Sequence, residues 1–163
     1  MFVATAPSSR RCTIWNGEFS DRSAVLITPA EAAARARILA SAADASILAT
    51  DLVERLDNGN PYFLVTVAEV TGGGIVVAID AVTGEVMSSA RLEQVERHRL
   101  PGRHEAIARA AYPDDAAARR VWAPSRASRS PFYPLWELKA GTSCAYVDVS
   151  GKVWTEPPGI FGG

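Results

Sequence analysis

Histidine and cysteine are scarce in this 163-residue sequence, two of each, and that scarcity narrows the chemistry open to it. His98 and His104 lie on either side of Pro101-Gly102, a spacing that does not put two ligands on one helix face, so no metal centre is expected. Both read as solvated: His98 sits among Glu93, Glu96 and Arg97, and His104 follows Pro101-Gly102 at a helix start. Cys12 and Cys144 form neither a CxxC pair nor a regular framework. Alternation around Cys144 gives it a packed strand position, and nothing near Cys12 would lower its pKa.

An excess of charge of either sign is also missing. With 17 Lys+Arg against 18 Asp+Glu the formal charge is -1, so no global field draws the protein onto nucleic acid or an anionic membrane, and neither is expected as a partner. Long hydrophobic runs are absent too. The alanine-rich stretch after Pro29 carries Glu31, Arg35 and Arg37, far short of the roughly 20 apolar residues that cross a bilayer. Arg10-Arg11 is followed by Cys12, Thr13 and Asn16 rather than by the apolar run of a secretory signal, so a cytoplasmic location is expected. Gly72-Gly73-Gly74 lacks the later Gly-Lys-Ser/Thr of a phosphate loop and runs into Ile75-Val76-Val77, a strand pattern. Asp114-Asp115 after Pro113 reads as a solvated turn rather than as an acid/base pair. No catalytic, cofactor-binding or metal-binding residue is therefore assigned.

What the sequence has is the balance of a globular chain, 48% hydrophobic and 21% charged. Residues 1–22 mix turn formers and charges and read as an arm, with Ile14, Trp15 and Phe19 available as anchors. Thr28, Pro29 and Glu31 make a capping box that starts a helix over 29–43. Three β-like runs follow, at 47–56, 62–70 and 75–91. They are separated by Asp57-Asn58-Gly59-Asn60-Pro61 and by Thr71-Gly72-Gly73-Gly74, and the third is broken by a turn at Asp80-Ala81-Val82-Thr83-Gly84-Glu85. The segment 92–100 is charged and helix-compatible, and Pro101-Gly102 breaks the chain.

The same order then recurs: a helix at 103–111 and runs at 119–126, 132–139 and 144–155. Val77-Ala78-Ile79-Asp80 before Gly84-Glu85-Val86 matches Ala145-Tyr146-Val147-Asp148 before Gly151-Lys152-Val153, an internal repeat whose second turn is shorter. The reading is α+β: two tandem units, each a helix plus a three-stranded antiparallel sheet, at 23–100 and 101–156, with 157–163 a flexible tail. The closing Gly162-Gly163 matches the end of ubiquitin-like carriers, but Pro157-Pro158 makes it a free end rather than a conjugation site.

Helix, three strands and the turn Asp80-Ala81-Val82-Thr83-Gly84-Glu85-Val86 together resemble the PepSY domain family over 28–92, so that the chain resembles a tandem, diverged PepSY pair. The resemblance implies an alanine-rich helix on a small antiparallel sheet and a role in peptidase inhibition or protein binding. It supplies no shared catalytic residues.

The most distinctive local sequence runs from Ser125 to Trp136, basic and hydroxyl-rich before it turns aromatic. Arg126 and Arg129, with Arg119 and Arg120 before them, would hold an acidic partner, and Tyr133 and Trp136 are the anchor types enriched at hot spots. The competing reading makes Phe132, Tyr133 and Trp136 core residues, with Pro131 and Pro134 at an edge or bulge. Three functions follow in order: a non-catalytic protein-binding module, in the form of a peptidase inhibitor or accessory subunit; a structural subunit of a larger assembly; and an enzyme whose site forms only in the fold.

Overall fold

The capping box starts the first helix in the computed structural model, which describes residues 25–40, 44–156 and 159. The arm of residues 1–22 with Cys12, the helix end at 41–43 and the tail with Gly162-Gly163 lie outside the described residues. Thr28 N donates to Glu31 Oε2 at 2.7 Å and Glu31 N donates to Thr28 Oγ1 at 3.2 Å, so each residue satisfies an orphaned amide of the other. The bonds that Thr28 N and Thr28 Oγ1 donate to Glu31 Oε2 hold the Glu31 carboxyl below its ordinary pKa. The helix, α1 (Pro29–Ala40), buries Ala32, Ala36 and Ala40. Alanine at every fourth position lets the helix backbone sit close on a sheet.

That sheet is where the expectation of two separate three-stranded units fails. The strands β1 (Ser46–Arg55), β2 (Tyr62–Ala68), β3 (Gly74–Asp80), β4 (Val86–Leu92), β5 (Ala117–Trp122), β6 (Leu135–Ala140), β7 (Ser143–Val147) and β8 (Val153–Trp154) form one eight-stranded mixed sheet in the order β4-β3-β2-β1-β5-β6-β7-β8. Two differences account for it. The turn at Asp80 splits the third run into β3 and β4, and the turn at Asp148 likewise splits β7 from β8, so each half has four strands. The first strands of the two halves, which would otherwise be unpaired edges, pair with each other in parallel through Val53↔Arg120, Glu54↔Val121 and Arg55↔Trp122. Leu56 N extends the seam by donating to Trp122 O at 2.9 Å. An ion pair crosses it on each face, Arg120 to Asp51 at 3.2 Å on one and Arg119 to Glu54 on the other. The linker forms a single 3-10 turn, Val95–Arg97, before α2 (Arg103–Ala110).

The two helices lie on opposite faces. α1 packs on Phe63, Val65, Val67, Ile75, Val77 and Ile79, whereas Tyr62, Leu64, Val76 and Ala78 point the other way with Val53 and Trp122. Val53 is in register with Arg120, and Arg120 with Trp136; Trp136 packs with Leu138 and Val147 under α2. A two-fold axis lying in the sheet between β1 and β5, along the strands, relates the halves. It keeps the central strands parallel and carries the helices to opposite sides.

Register makes the halves comparable residue by residue. Ile79, before the Asp80 turn, pairs with Phe63, and Val147, before the Asp148 turn, pairs with Trp136. The helices match as well: Glu31-Ala32-Ala33-Ala34-Arg35 stands where Glu105-Ala106-Ile107-Ala108-Arg109 stands in the second half. In both, the arginine guanidinium lies against the glycine of the aspartate turn, Arg35 on Gly84 and Arg109 on Gly151. Asp80 Oδ1 accepts from Val82 N and Thr83 N at 2.8 Å each; Asp148 Oδ1 accepts from Ser150 N and Lys152 N at 2.9 and 3.0 Å. Burial alone would raise the Asp148 pKa, but the bonds from Ser150, Trp154 and Lys152 hold it below its ordinary value.

Candidate protein-contact surface

On the face that carries α2, the apolar surface of the first half is roofed by two loops rather than by a helix. Leu92 at the end of β4, Leu100 from the linker and Phe132 from the loop between β5 and β6 pack on Val53, Tyr62, Leu64, Val76 and Ala78. The serine-rich loop, which reads in sequence as an open surface, is knotted by its own hydrogen bonds. Ser125 N donates to Ser128 O at 2.9 Å, Ser128 N to Ser125 Oγ at 3.1 Å, and Ser128 Oγ to Ser130 O at 3.0 Å. Two buried aromatics fasten it to the sheet: Trp122 Nε1 donates to Ser128 Oγ at 3.1 Å and Tyr62 OH to Pro131 O at 2.7 Å. Burial raises the Tyr62 pKa, keeping that hydroxyl a donor. Ser125 and Ser128 are thus buried, while Arg126 and Arg129 between and beside them are exposed.

Tyr133 N donates to Ser130 O at 3.1 Å, closing the next turn, and the tyrosine is 42% exposed. Its ring packs against His98 of the linker with centroids 5.2 Å apart. His98 is not solvated as its neighbours in sequence suggest. It is half-buried, Nε2 has no partner among the described residues, and burial holds the imidazole below its ordinary pKa. Arg97 and Arg99, on either side of it in sequence, are exposed, as are Glu93 and Glu96 of the same linker.

The five residues singled out from sequence therefore divide. Arg126, Arg129 and Tyr133 share this surface. Arg119 lies on the opposite face, ion-paired to both Glu54 and Glu137. Trp136 is half-buried under α2, donates Nε1 to Pro101 O at 2.8 Å, and carries the Arg120 guanidinium 4.3 Å above its ring. Arg120 itself is buried. Phe132 and Trp136 thus serve the core, and the exposed aromatic is Tyr133. Sequence reading missed Arg97, His98 and Arg99, because what brings them here is the linker crossing the sheet, a contact with no local signature.

The arginines sort the same way. Among the described residues, Arg55, Arg91, Arg109, Arg119 and Arg120 each pair with a carboxylate, and Arg103 bonds the carbonyls of Asp114 and Ala116. Arg35, Arg37, Arg97, Arg99, Arg126 and Arg129 have no carboxylate within ion-pair distance among the described residues; Arg97 and Arg99 adjoin His98 in the linker, which also exposes Glu93 and Glu96, and Arg126 and Arg129 lie in the loop that carries Tyr133. A hollow of about 120 Å³ lined by Arg99, Pro101, Glu105 and Val149 opens beside the linker, well below the roughly 300–1,000 Å³ of small-molecule sites. Among the described residues no group of three or more His, Cys, Asp or Glu is placed to hold a metal ion, and no helix is long and apolar enough to cross a membrane.

A second polar cluster occupies the other face of the second half, and sequence reading missed it. By register, Asp51, Leu64 and Ala78 across β1, β2 and β3 correspond to Arg119, Glu137 and Tyr146 across β5, β6 and β7. Leu64 is a core residue; Glu137 is equally buried but accepts from Arg119 Nε and from Tyr146 OH at 3.1 Å, with Lys139 Nζ at 3.5 Å. Burial and the adjacent Glu137 carboxylate push the Tyr146 pKa up. All of these groups are engaged with one another, so the cluster reads as internal bracing of the sheet.

The fold defines an α+β protein with a mostly antiparallel sheet. Compared with protein-family models, with curated proteins and with solved structures, the chain shows no match in any of the three.

Proposed function

We propose that this chain is a non-catalytic protein-binding module whose partner docks on the two loops around Tyr133. The observation that carries the reading is an exposed aromatic, Tyr133, on a hydrogen-bonded loop that also exposes Arg126 and Arg129. A pre-ordered loop loses little entropy on binding, and tyrosine and arginine are the residue types that dominate interface energetics. The resemblance of 28–92 to PepSY domains supports the narrower form of the reading, an inhibitor or accessory subunit of a peptidase.

Affinity capture from cell lysate with wild type, with Arg126→Glu/Arg129→Glu, with Tyr133→Ala and with Arg37→Glu tests it. Arg37 is exposed on α1, across the sheet. Capture of a defined protein that is lost in the loop variants and kept in Arg37→Glu is the expected result. Equal capture by all four proteins sinks the surface assignment.

A second reading, a subunit of a larger assembly, draws support from β4. It is a seven-residue edge strand with Val86 and Met87 exposed, and such an edge accepts another strand. Light scattering over a concentration series separates the two: mass rising with concentration favours the assembly.

A further inference from the structure

On the second reading, in which the chain assembles, the copies need a surface to meet on, and the two edges of the sheet are not alike. β8 is two residues long, whereas β4 runs for seven, VMSSARL, with no proline and no lysine to discourage a further strand. Among the described residues no strand lies beyond it. Which backbone groups β4 turns outward follows from its hairpin. Asp80 N donates to Glu85 O at 2.8 Å, so along β3 the residues bonded toward β4 are Asp80, Ala78, Val76 and Gly74, and those turned to β2 are Ile79, Val77 and Ile75. Opposite the latter three stand Val86, Ser89 and Arg91, whose N–H and C=O groups therefore point out of the sheet.

A second copy fits this edge by symmetry. The register shift opposite Ala78 and Ile79 puts Val86 out of step and leaves Ser89 and Arg91, both exposed, as the regular outward residues. An antiparallel strand exchanges both N–H···O bonds with each outward residue it meets. A two-fold axis through Ala90 sets Ser89 of one copy against Arg91 of the other and repeats that exchange, whereas an axis on Ser89 or on Arg91 matches outward residues only at the axis itself. On the face away from α1 the same axis opposes Ala90 to Ala90 and Ser88 to Leu92. Ala90 and Leu92 already belong with Val76 and Ala78 to one apolar cluster, so that layer continues across the axis. On the α1 face Arg91 brings its own counter-ion, Glu69 at 3.2 Å. We propose that two copies of this chain join antiparallel through β4 into one continuous sheet. Because the same residues serve both copies and the opposite edge is only β8, the contact closes at a dimer instead of growing into a filament.

Sedimentation velocity of the full chain over a concentration series, together with cysteine crosslinking, tests it. Wild type is expected to pass from monomer to dimer and no further. Ser89→Pro removes a donor that faces solvent in the single chain, a place where edge strands tolerate proline. Ser89→Lys, which guards against a fold lost to proline, sets a cation against Arg91 of the other copy. Each is expected to weaken the dimer roughly tenfold or more. Ala90→Cys brings two thiols together in the non-hydrogen-bonded pair at the axis, where Cα atoms lie about 4.5 Å apart, within disulfide reach. Mild oxidation is therefore expected to crosslink it well above wild type, which carries Cys12 and Cys144. Ser88→Cys, displaced from its copy by roughly 13 Å along the strand, is expected to stay at the wild-type level. A dimer that neither Ser89 variant weakens, or equal crosslinking of the two cysteine variants, overturns the β4 contact and leaves assembly to another surface. Growth past the dimer overturns closure, and a monomer at every concentration overturns the contact and the assembly reading together.

Discussion

Glu137→Ala tests whether the second half is braced by a buried ionic cluster where its counterpart uses hydrocarbon. The Glu137 side chain is 5% exposed, so its removal strands the Tyr146 hydroxyl, which donates to it at 3.1 Å. A buried hydroxyl left unsatisfied costs about 1–3 kcal/mol. Breaking a fully buried ion pair costs about 3–5 kcal/mol, but Arg119 is 37% exposed and keeps Glu54, so solvent screening reduces that part well below the buried figure. A net loss of about 3 kcal/mol follows, and in a domain of this size each kcal/mol lowers Tm by roughly 2–4 °C. Glu54→Ala is the internal control: its carboxylate is 42% exposed, and such pairs contribute about 0–1 kcal/mol. Glu137→Leu with Tyr146→Phe and Arg119→Leu supplies the hydrocarbon alternative and recovers most of the loss, because a well-packed apolar replacement of a buried ionic group is often neutral or stabilising. Urea unfolding followed by tryptophan fluorescence measures all of these. Equal stabilities for Glu137→Ala and Glu54→Ala would refute the reasoning.

The aspartate turns and the linker histidine make further predictions. Gly84 has φ 75° and a Cβ there would lie 2.7 Å from the Arg35 guanidinium, so Gly84→Ala is expected to cost roughly 1–2 kcal/mol. Gly102→Ala, at φ -71° with nothing near but at the N-cap of α2, is expected to be close to neutral, the unfolded-state gain of about 0.4–1 kcal/mol being offset by the poor fit of alanine to an N-cap; thermal melts of the two variants compare them directly. Burial keeps His98 neutral in the folded protein, with its pKa below the unfolded value. The unfolded chain therefore binds the proton first, and stability falls as pH drops below about 6.5, levelling off once the folded form also protonates. His98→Gln removes that part of the pH dependence, and a Tm series from pH 7.5 to 5, about two and a half units across the His range, shows it as a shallower slope than wild type.

Much of the local structure was legible because it is written in side chains that bond their own backbone. Thr28 and Glu31, Asp57 to Pro61, the three glycines from Gly72 and the turn at Asp80 all mark element boundaries that the structure keeps. What was not legible is the pairing of β1 with β5. Their sequences carry no partner signal, and the contact is between strands separated by a helix and several turns. The same limit hid the contact surface. Arg126, Arg129 and Tyr133 stood out by composition, but the alternation of β5 turns Arg119 to the other face, Trp136 is covered on the same face by α2 and Pro101, and Arg97 and Arg99 arrive from a linker with no periodicity at all. Glu137 shows the converse problem. Glu137 alternates with Lys139 in β6, the pattern of a solvated strand face, and only the register against Leu64 marks it as a core site.

The near-symmetry of the halves turns these differences into an argument. Where the two agree, as in Arg35 on Gly84 and Arg109 on Gly151, or Ala36 and Ala110 on the sheet, the shared requirement is the fold itself. Where they part, symmetry supplies a comparison from within the same molecule. On the α2 face the first half is roofed by a linker and a loop, and that roof carries Arg126 and Arg129. On the α1 face the second half has Arg119, Glu137 and Tyr146 in place of Asp51, Leu64 and Ala78, with their charges closed upon one another. The Glu137 cluster is thus satisfied internally, whereas exposed arginines without an ion pair stand on both faces, Arg37 on α1 and Arg126 and Arg129 on the roof. Bracing requires only the first arrangement. Tyr133, exposed on an ordered loop beside Arg126 and Arg129 in sequence, is engaged in no such bracing, which is why the Tyr133 loops rather than the Glu137 cluster are the place to look for binding.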